Sequence, residues 1–195
     1  MESSSAKKSV FLTIRFTILD SRSGEGLRGV SSEHRETILS AGETAPDFEL
    51  PSLVGGVKKT FHLHDALAKK TIVLAFYPTN WESVSGQQLS EYQAQRDKFA
   101  AAQADVVAIC VDSIMNTTEW EREVGPFDFS LCSDFWPHGE VSHAYGVFHA
   151  EGPYAGTPDR AIFVVGRNGI IAFSKTYGRQ DLPPLSETIE ALHRL

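Results

Sequence analysis

The chain has 195 residues, of which 42% are apolar and 22% are charged, and its formal net charge at pH 7 is −7. This length suits a single domain whose core needs no metal or disulfide to hold it. The negative charge, without any basic stripe, argues against a protein that neutralises a nucleic-acid backbone. No apolar run approaches the roughly 20 residues of a membrane-spanning helix. We therefore expect neither nucleic acid nor a membrane as a partner, and a cytoplasmic location.

The first 40 residues differ in composition from the rest of the chain. Residues 1–8 and 20–29 (MESSSAKK and DSRSGEGLRG) are rich in Ser, Gly and charged residues, and they flank one alternating apolar stretch. Such segments rarely bury enough apolar surface to fold alone. We predict a poorly ordered N-terminal extension over residues 1–40 and one folded domain over residues 41–195.

The regular pattern begins after this extension with strands and a long helix. Short strands are predicted at Phe48–Leu50 and Val57–Phe61, joined through a Gly-Gly turn. Thr71–Tyr77 is a nearly continuous apolar run, which is typical of a strand buried on both faces. Apolar residues then recur at helical spacing, which predicts a helix over Ser85–Ala102.

The alternation of strands and helices continues in the second half. Val106–Val111 is a second buried strand, and Asn116 is a candidate N-cap for a helix that ends near Val124. A short strand follows at Phe129–Cys132. The residues Glu140–Tyr145 then predict a helical turn, which the next glycine can close in a left-handed conformation.

The C-terminal part predicts a hairpin and a last helix. An Asn-Gly pair lies between the apolar runs Ala161–Val165 and Ile170–Ser174, which is a strong hairpin signal. Two prolines precede a helix at Leu185–Leu192. Buried strands that alternate with helices indicate an α/β sheet, and the hairpin adds antiparallel strands to it.

The junction between the buried strand Thr71–Tyr77 and the long helix is the candidate functional site. A helix N-terminus at the carboxyl end of a central strand presents unpaired N–H groups and a partial positive charge. Such a terminus stabilises an anion or an ionised nucleophile. The sequence of the junction is FYPTNWESVS, residues 76–85.

This junction resembles the active-site loop of peroxiredoxins of the alkyl hydroperoxide reductase C and thiol-specific antioxidant (AhpC/TSA) family. In that pattern a proline is followed by Thr or Ser and then by the peroxidatic cysteine, which opens a helix. Pro78 matches the proline, Glu82 stands at the Thr/Ser position, and Ser85 stands at the position of the cysteine. Arg160 matches the arginine that contacts the catalytic sulfur and the peroxide in the family.

The resemblance extends over roughly residues 41–195, through GETAPDFELPSL, VVAICVDS, HAYGVF and DRAIFVVGRNGII. It implies an α/β thioredoxin-like (peroxiredoxin) fold with a central mixed sheet flanked by helices. It also implies the family activity, which is antioxidant peroxide reduction by an oxidoreductase without a cofactor. A homodimer and a small peroxide-like or anionic ligand in the pocket are the partners that it implies.

The two departures from the pattern bear on this activity. A thiolate attacks the peroxide, whereas a serine hydroxyl holds its proton far more tightly and has no reversible oxidation states. A carboxylate at Glu82 repels both a thiolate and a developing hydroxide, or it pairs with Arg160 and occupies the anion position itself. We therefore expect a degenerate active site without thiol peroxidase activity, in a non-catalytic binding or interaction module or in one with changed chemistry.

Two alternatives stay open, and they depend on other residues. Cys110 lies within an apolar run and is expected to be buried and inert. Cys132 ends a short strand beside a loop, where solvent has better access, so an active thiol-dependent oxidoreductase or redox sensor using Cys132 is one alternative. The other is a non-enzymatic dimeric module.

Further signals for chemistry are weak. His62 and His64 share a strand face in the predicted pattern, but no Cys, Asp or Glu cluster completes a metal site, so no metal is expected. The G-x-S-x-G motif of hydrolases is absent around Ser85. Trp81 either packs or lines the pocket.

Overall fold

The computed structural model describes residues 37–195, so the predicted extension over residues 1–40 lies almost wholly outside the described residues. The strands are β1 (Glu49–Val54), β2 (Val57–His62), β3 (Thr71–Phe76), β4 (Ala104–Cys110), β5 (Ser130–Ser133), β6 (Arg160–Val165) and β7 (Ile171–Tyr177). The helices are α1 (Leu63–Leu67), α2 (Ser83–Ala94), α3 (Arg96–Ala101), α4 (Ile114–Val124), α5 (Glu140–Ala144) and α6 (Leu185–Leu192).

The strands form one mixed sheet in the order β2-β1-β5-β4-β3-β6-β7. The pairs β3–β4 and β4–β5 are parallel, while β6 and β7 continue the sheet antiparallel to β3. Alternate residues of β3 enter the two hydrophobic cores, with Leu74 and Phe76 in one and Val73 and Ala75 in the other. This placement explains the unbroken apolar run, because both faces of a central strand are covered. The predicted α/β mixed sheet is confirmed.

The long helix predicted over Ser85–Ala102 is two helices in the structure. Gln95 has φ −107° and ψ 16°, which ends α2 and precedes α3. Gln93 and Arg96, on either side of this break, both donate to the carboxylate of Asp128, at 2.8 and 2.6 Å. These contacts come from a distant part of the chain, so local helix propensity does not predict the break.

Two other elements also differ from the sequence pattern. Helix α4 begins after Ser113, whose hydroxyl accepts from the backbone N–H of Asn116, so the N-cap lies three residues before the predicted one. The chain turns into α1 directly after β2, so His64 lies in a helix and does not share a strand face with His62. The predicted hairpin is confirmed as β6 and β7, and α6 has the predicted bounds.

Gly146 shows where the fold requires a glycine. It follows α5 with φ +71°, and a Cβ atom at this position would lie 2.0 Å from the carbonyl oxygen of Thr37. Gly152 also has a positive φ, +82°, but a Cβ there would meet nothing within 4 Å. Substitutions at these two glycines therefore separate the free-energy cost of a positive φ from the cost of a clash between Cβ and the backbone.

We expect Gly146→Ala to lower the free energy of unfolding by about 2–4 kcal/mol, because a positive φ and a backbone clash add up. Gly152→Ala is the matched control and should cost roughly 1 kcal/mol, for the positive φ alone. Urea denaturation followed by circular dichroism measures both. Equal losses in the two variants would contradict the close approach of Gly146 to Thr37.

Candidate functional site

The loop of residues 77–82 connects β3 to α2 at the edge of the sheet where the parallel strands β3, β4 and β5 end. Pro78 is buried at the start of this loop, and Ser85 is buried in the first turn of α2. Trp81 has a left-handed backbone with φ 61°. The structure therefore places the predicted site at a helix N-terminus, as the strand–helix junction in the sequence predicts.

Glu82 is the N-cap of α2, and its carboxylate accepts the free N–H groups of the helix. The N–H of Val84 lies 3.1 Å from Oε1, and the N–H of Ser85 lies 2.8 Å from Oε2. The hydroxyl of Ser85 donates to the same Oε2 at 2.6 Å. The position where a helix N-terminus would hold an external anion is thus occupied by a side chain of the protein itself.

Arg160 reaches this carboxylate from the first residue of β6. Its Nη2 lies 2.7 Å from Oε2 of Glu82, and its Nη1 donates to Oε1 of Gln88 at 2.6 Å. Nη2 also donates to the backbone carbonyl of Arg179 at 3.0 Å, and both Nη atoms lie 3.5 Å from the hydroxyl of Ser85. The structure therefore brings Ser85, Glu82 and Arg160 into one cluster.

Gln88 is a member of this cluster that sequence reasoning missed. It is fully buried on α2, three residues after Ser85 and on the same helix face. Its Nε2 donates to the hydroxyl of Tyr92 while its Oε1 accepts from Arg160. A polar residue one turn after the candidate nucleophile position was the available signal.

Burial and hydrogen bonds shift the pKa values of Glu82 and Arg160 in opposite directions. Burial alone would raise the pKa of Glu82, but hydrogen bonds from Ser85, Arg160 and Val84 outweigh it and lower the pKa below its ordinary value of 4.5. Burial lowers the pKa of Arg160, and the carboxylate of Glu82 opposes that change. With the Arg160 side chain 0% exposed and the Glu82 side chain 17% exposed, the cluster is a nearly closed ion pair.

A second buried polar network holds the loop ahead of Glu82. The N–H of Asn80 donates to the carboxylate of Asp112 at 2.6 Å, and its side-chain amide donates to Asn116 and Thr117, both at 3.0 Å. The indole N–H of Trp81 donates to the same oxygen of Asn116, at 3.1 Å. Trp81 is 52% exposed, so its ring lies at the protein surface beside the site. These bonds hold the left-handed turn that leads into Glu82.

Comparison with known proteins agrees with this fold. Residues 41–174 match the AhpC/TSA family. Alkyl hydroperoxide reductase E of Mycobacterium tuberculosis is 35% identical over 138 residues, which cover 71% of this chain and 86% of that protein. This chain belongs to the AhpC/TSA family. The selenocysteine-containing peroxiredoxin PrxU of Peptoclostridium acidaminophilum is 33% identical over 140 residues, which cover 69% of this chain and 66% of that protein.

Solved structures of AhpC/TSA proteins share the fold. Mycobacterium tuberculosis AhpC has a TM-score of 0.71 at 23% identity, covering 80% of this chain and 98% of that one. The reduced 2-Cys peroxiredoxin of Plasmodium vivax has a TM-score of 0.71 at 20% identity, covering 80% of this chain and 81% of that one. The mixed sheet with its helices is therefore the thioredoxin-like fold of the peroxiredoxins.

Within this AhpC/TSA fold, both cysteines are buried thiols. Burial raises the pKa of Cys110 to about 12, which agrees with the expected inert residue. The expectation that Cys132 is more accessible is wrong, because its side chain is 0% exposed and burial raises its pKa well above the ordinary value. The reason is the strand order: β5 pairs with β1 on one side and β4 on the other, so it is an interior strand.

Within residues 37–195, no group of three or more His, Cys, Asp or Glu side chains could hold a metal ion. No helix in that part of the chain is both long enough and apolar enough to cross a membrane.

We expect Glu82→Gln to lower the free energy of unfolding at pH 7 by about 2–4 kcal/mol, because it leaves the buried Arg160 without its counter-charge. In the folded protein the pKa of Glu82 lies below its ordinary value of 4.5, which we take for the unfolded chain. The ion pair therefore stabilises the protein fully above pH 4.5, and this contribution is lost as the pH falls through the pKa of the folded protein. The difference between wild type and variant should therefore shrink in acid.

Glu119→Gln is the control for this measurement, because Glu119 pairs with Arg122 at 2.7 Å on the surface. Its cost in urea denaturation should stay below about 1 kcal/mol at all pH values. Similar losses of unfolding free energy in Glu82→Gln and Glu119→Gln would contradict the expectation that Glu82→Gln leaves Arg160 buried without a counter-charge.

Proposed function

We propose that this chain is an AhpC/TSA protein that has kept the fold and lost thiol-dependent peroxide reduction, and that it acts as a binding or interaction protein. The observation that carries the proposal is the contact of the Glu82 carboxylate with Ser85 and Arg160, at 2.6 and 2.7 Å. By the resemblance to peroxiredoxins, Ser85 stands at the position of the peroxidatic cysteine and Glu82 at that of the neighbouring hydroxyl residue. Arg160 stands at the position of the arginine that contacts the peroxide.

The first support is the chemistry of Ser85. Peroxide reduction needs an ionised sulfur that forms a sulfenic acid and is then reduced again, and an alcohol has no such oxidation states. The hydroxyl of Ser85 donates a hydrogen bond to the carboxylate of Glu82, whose pKa is lowered by the surrounding hydrogen bonds. A carboxylate with a lowered pKa is a weak base, so it does not activate the hydroxyl as a nucleophile.

The second support is the charge at the position of the substrate. The Glu82 carboxylate holds the Nη2 of Arg160 and the free N–H groups of α2, which are the donors that an incoming peroxide or small anion would need. A developing hydroxide at this place would meet a negative charge within hydrogen-bonding distance. The anionic ligand that the family resemblance implies is thus replaced by a residue of the chain.

Restoring both family residues is the direct test. The double variant Ser85→Cys, Glu82→Thr should reduce hydrogen peroxide in a dithiothreitol-dependent assay and form an adduct with a sulfenic-acid trap on residue 85. Wild type should show neither, and Ser85→Cys alone should be far less active than the double variant, because Glu82 raises the thiol pKa and blocks the donors.

Ser90→Cys is the matched control, since Ser90 is exposed on the same helix and away from Arg160. It should give no more than the turnover of an ordinary surface thiol. Peroxide turnover by the wild-type protein would refute the proposed loss of activity. A folded double variant that behaves like Ser90→Cys would show that residue 85 does not occupy the peroxidatic position.

An aromatic edge beside the closed site favours an interaction role. Four large apolar side chains are at least half exposed there, namely Trp81, Met115, Phe135 and Trp136. These residues follow the carboxyl ends of β3, β4 and β5, with Met115 in the first turn of α4. The segments after these strands are joined by hydrogen bonds of Asp112, which accepts from Asn80 and Ser133. Clustered exposed apolar side chains are typical of contact surfaces. We therefore propose that the chain forms a homodimer through this aromatic edge.

Sedimentation velocity at micromolar concentration should show a dimer for wild type and a shift towards monomer for Trp136→Asp, because a charge at this 69% exposed ring opposes burial in an interface. Val57→Asp is the control, because Val57 is 57% exposed on β2 and lies outside the aromatic edge. A monomeric wild type, or a dimer that both variants leave intact, would contradict this interface.

A further inference from the structure

Sulfur is the side-chain atom that peroxides oxidise most readily, and the chain has only two cysteines and two methionines. Within residues 37–195 these are Cys110, Met115 and Cys132. Both thiols are 0% exposed, and burial raises their pKa values. Met115 differs from them, because it is 60% exposed in the first turn of α4. It is therefore the one sulfur atom of the described residues that a dissolved peroxide can reach.

The thioether of Met115 needs none of the surroundings on which a peroxidatic thiol depends. A thiol must ionise before it attacks a peroxide, so it relies on nearby positive charge. A thioether is polarizable and reacts in its neutral form, through a sulfur lone pair, to give methionine sulfoxide. The closed ion pair of Glu82 and Arg160 therefore has no bearing on this second kind of sulfur chemistry.

Lys58 places a proton donor against this sulfur. Its Nζ, on a side chain of β2, lies 3.0 Å from Sδ of Met115. In the oxidation a sulfur lone pair forms an S–O bond, the O–O bond of the peroxide breaks, and hydroxide or alkoxide leaves. The sulfur loses two electrons and the peroxide gains them, while the leaving oxygen takes a proton from the Lys58 ammonium, which water then restores. The sulfoxide oxygen is a stronger acceptor than the thioether, so the contact with Lys58 persists in the product.

The position of Met115 gives this oxidation a consequence for binding. Met115 belongs to the aromatic edge, together with Trp81, Phe135 and Trp136. Oxidation converts an apolar side chain into a polar one, which opposes burial in an apolar contact. A twofold-symmetric dimer formed through this edge contains Met115 twice, so its oxidation counts twice against association.

We propose that Met115 is a modification site for hydrogen peroxide and small alkyl hydroperoxides, that Lys58 donates the proton of this step, and that the resulting sulfoxide opens the homodimer. Oxidation takes place on the dissociated protomer, where the sulfur is exposed, and then prevents re-association. The change persists until methionine sulfoxide reductases, one for each sulfoxide epimer, reverse it. The oxidation itself is independent of the proposed function, whereas the opening of the dimer rests on it.

The first test maps oxidation in the full-length, tag-free protein treated with hydrogen peroxide. Peptide mass spectrometry should show one added oxygen atom on Met115 before any product on Cys110 or Cys132, and Met115→Leu should lack it. Met1, outside the described residues, is followed on its own peptide. Oxidation of Met115 stops at one peroxide per protomer, which separates it from the peroxide turnover that would refute the proposed loss of activity. Absence of the sulfoxide on Met115, or earlier oxidation of a cysteine, would overturn the proposal.

Lys58→Gln and Lys59→Gln form a matched pair, because the two lysines are exposed neighbours on β2 and point to opposite faces of the sheet. Lys58→Gln should slow the oxidation of Met115 at least about threefold, since it removes the proton donor. Lys59→Gln should leave the rate unchanged. Equal rates in the two variants would refute the role of Lys58.

The second test follows the dimer by sedimentation velocity before and after the same treatment. Oxidation should raise the dimer dissociation constant of wild type at least about tenfold, and methionine sulfoxide reductases should restore it. Met115→Leu should stay dimeric in peroxide, while Met115→Gln, with a polar side chain of similar length, should dissociate without it. A dimer that oxidation of Met115 leaves intact would refute the opening of the dimer. A wild type that is monomeric before treatment would contradict the homodimer and its opening together, and the mapping of Met115 would then stand alone.

Discussion

The charge of Arg160 is the constraint on which the candidate site depends. This guanidinium is fully buried at the start of β6, and a buried cation without a counter-charge is strongly unfavourable. The position of β6 next to β3 in the sheet points the side chain at the N-terminus of α2, where the helix dipole is also positive. An anion is therefore required at this junction for the fold itself, whatever chemistry the site performs.

The two departures from the peroxiredoxin pattern form one electrostatic change in this view. By the resemblance, Ser85 stands at the position of a peroxidatic thiolate, an anion that would face the arginine and the helix N-terminus, and a neutral hydroxyl there carries no such charge. Glu82, three residues earlier, returns a negative charge to the same donors, at 2.7 Å from Arg160 and 2.8 Å from the N–H of Ser85. In the function proposed above, the carboxylate supplies the charge that the fold requires and the site holds no thiolate, which would separate its stability from peroxide reduction.

The parts of the site that the sequence predicts are those carried by short motifs. The strand–loop–helix junction, the alignment of Pro78, Glu82 and Ser85, and the pairing of Glu82 with Arg160 all follow from local pattern and resemblance. The burial of Cys132 does not, because it results from β5 lying between β1 and β4, which the order of strands along the chain does not reveal. Gln88 was missed for a similar reason, since its partner Arg160 is 72 residues away.

The closed ion pair also changes where this protein can meet other molecules. With Ser85 and Arg160 both 0% exposed, no reactive group of the cluster faces solvent, apart from a small part of Glu82. The hydrogen bonds of Asn80 hold the intervening loop in place, and so they hold Trp81 outward, at the surface. The loop that leads into the closed site therefore also presents Trp81 at the aromatic edge. A fixed apolar edge loses little conformational entropy on binding, which makes it better suited to a protein contact than a flexible loop would be.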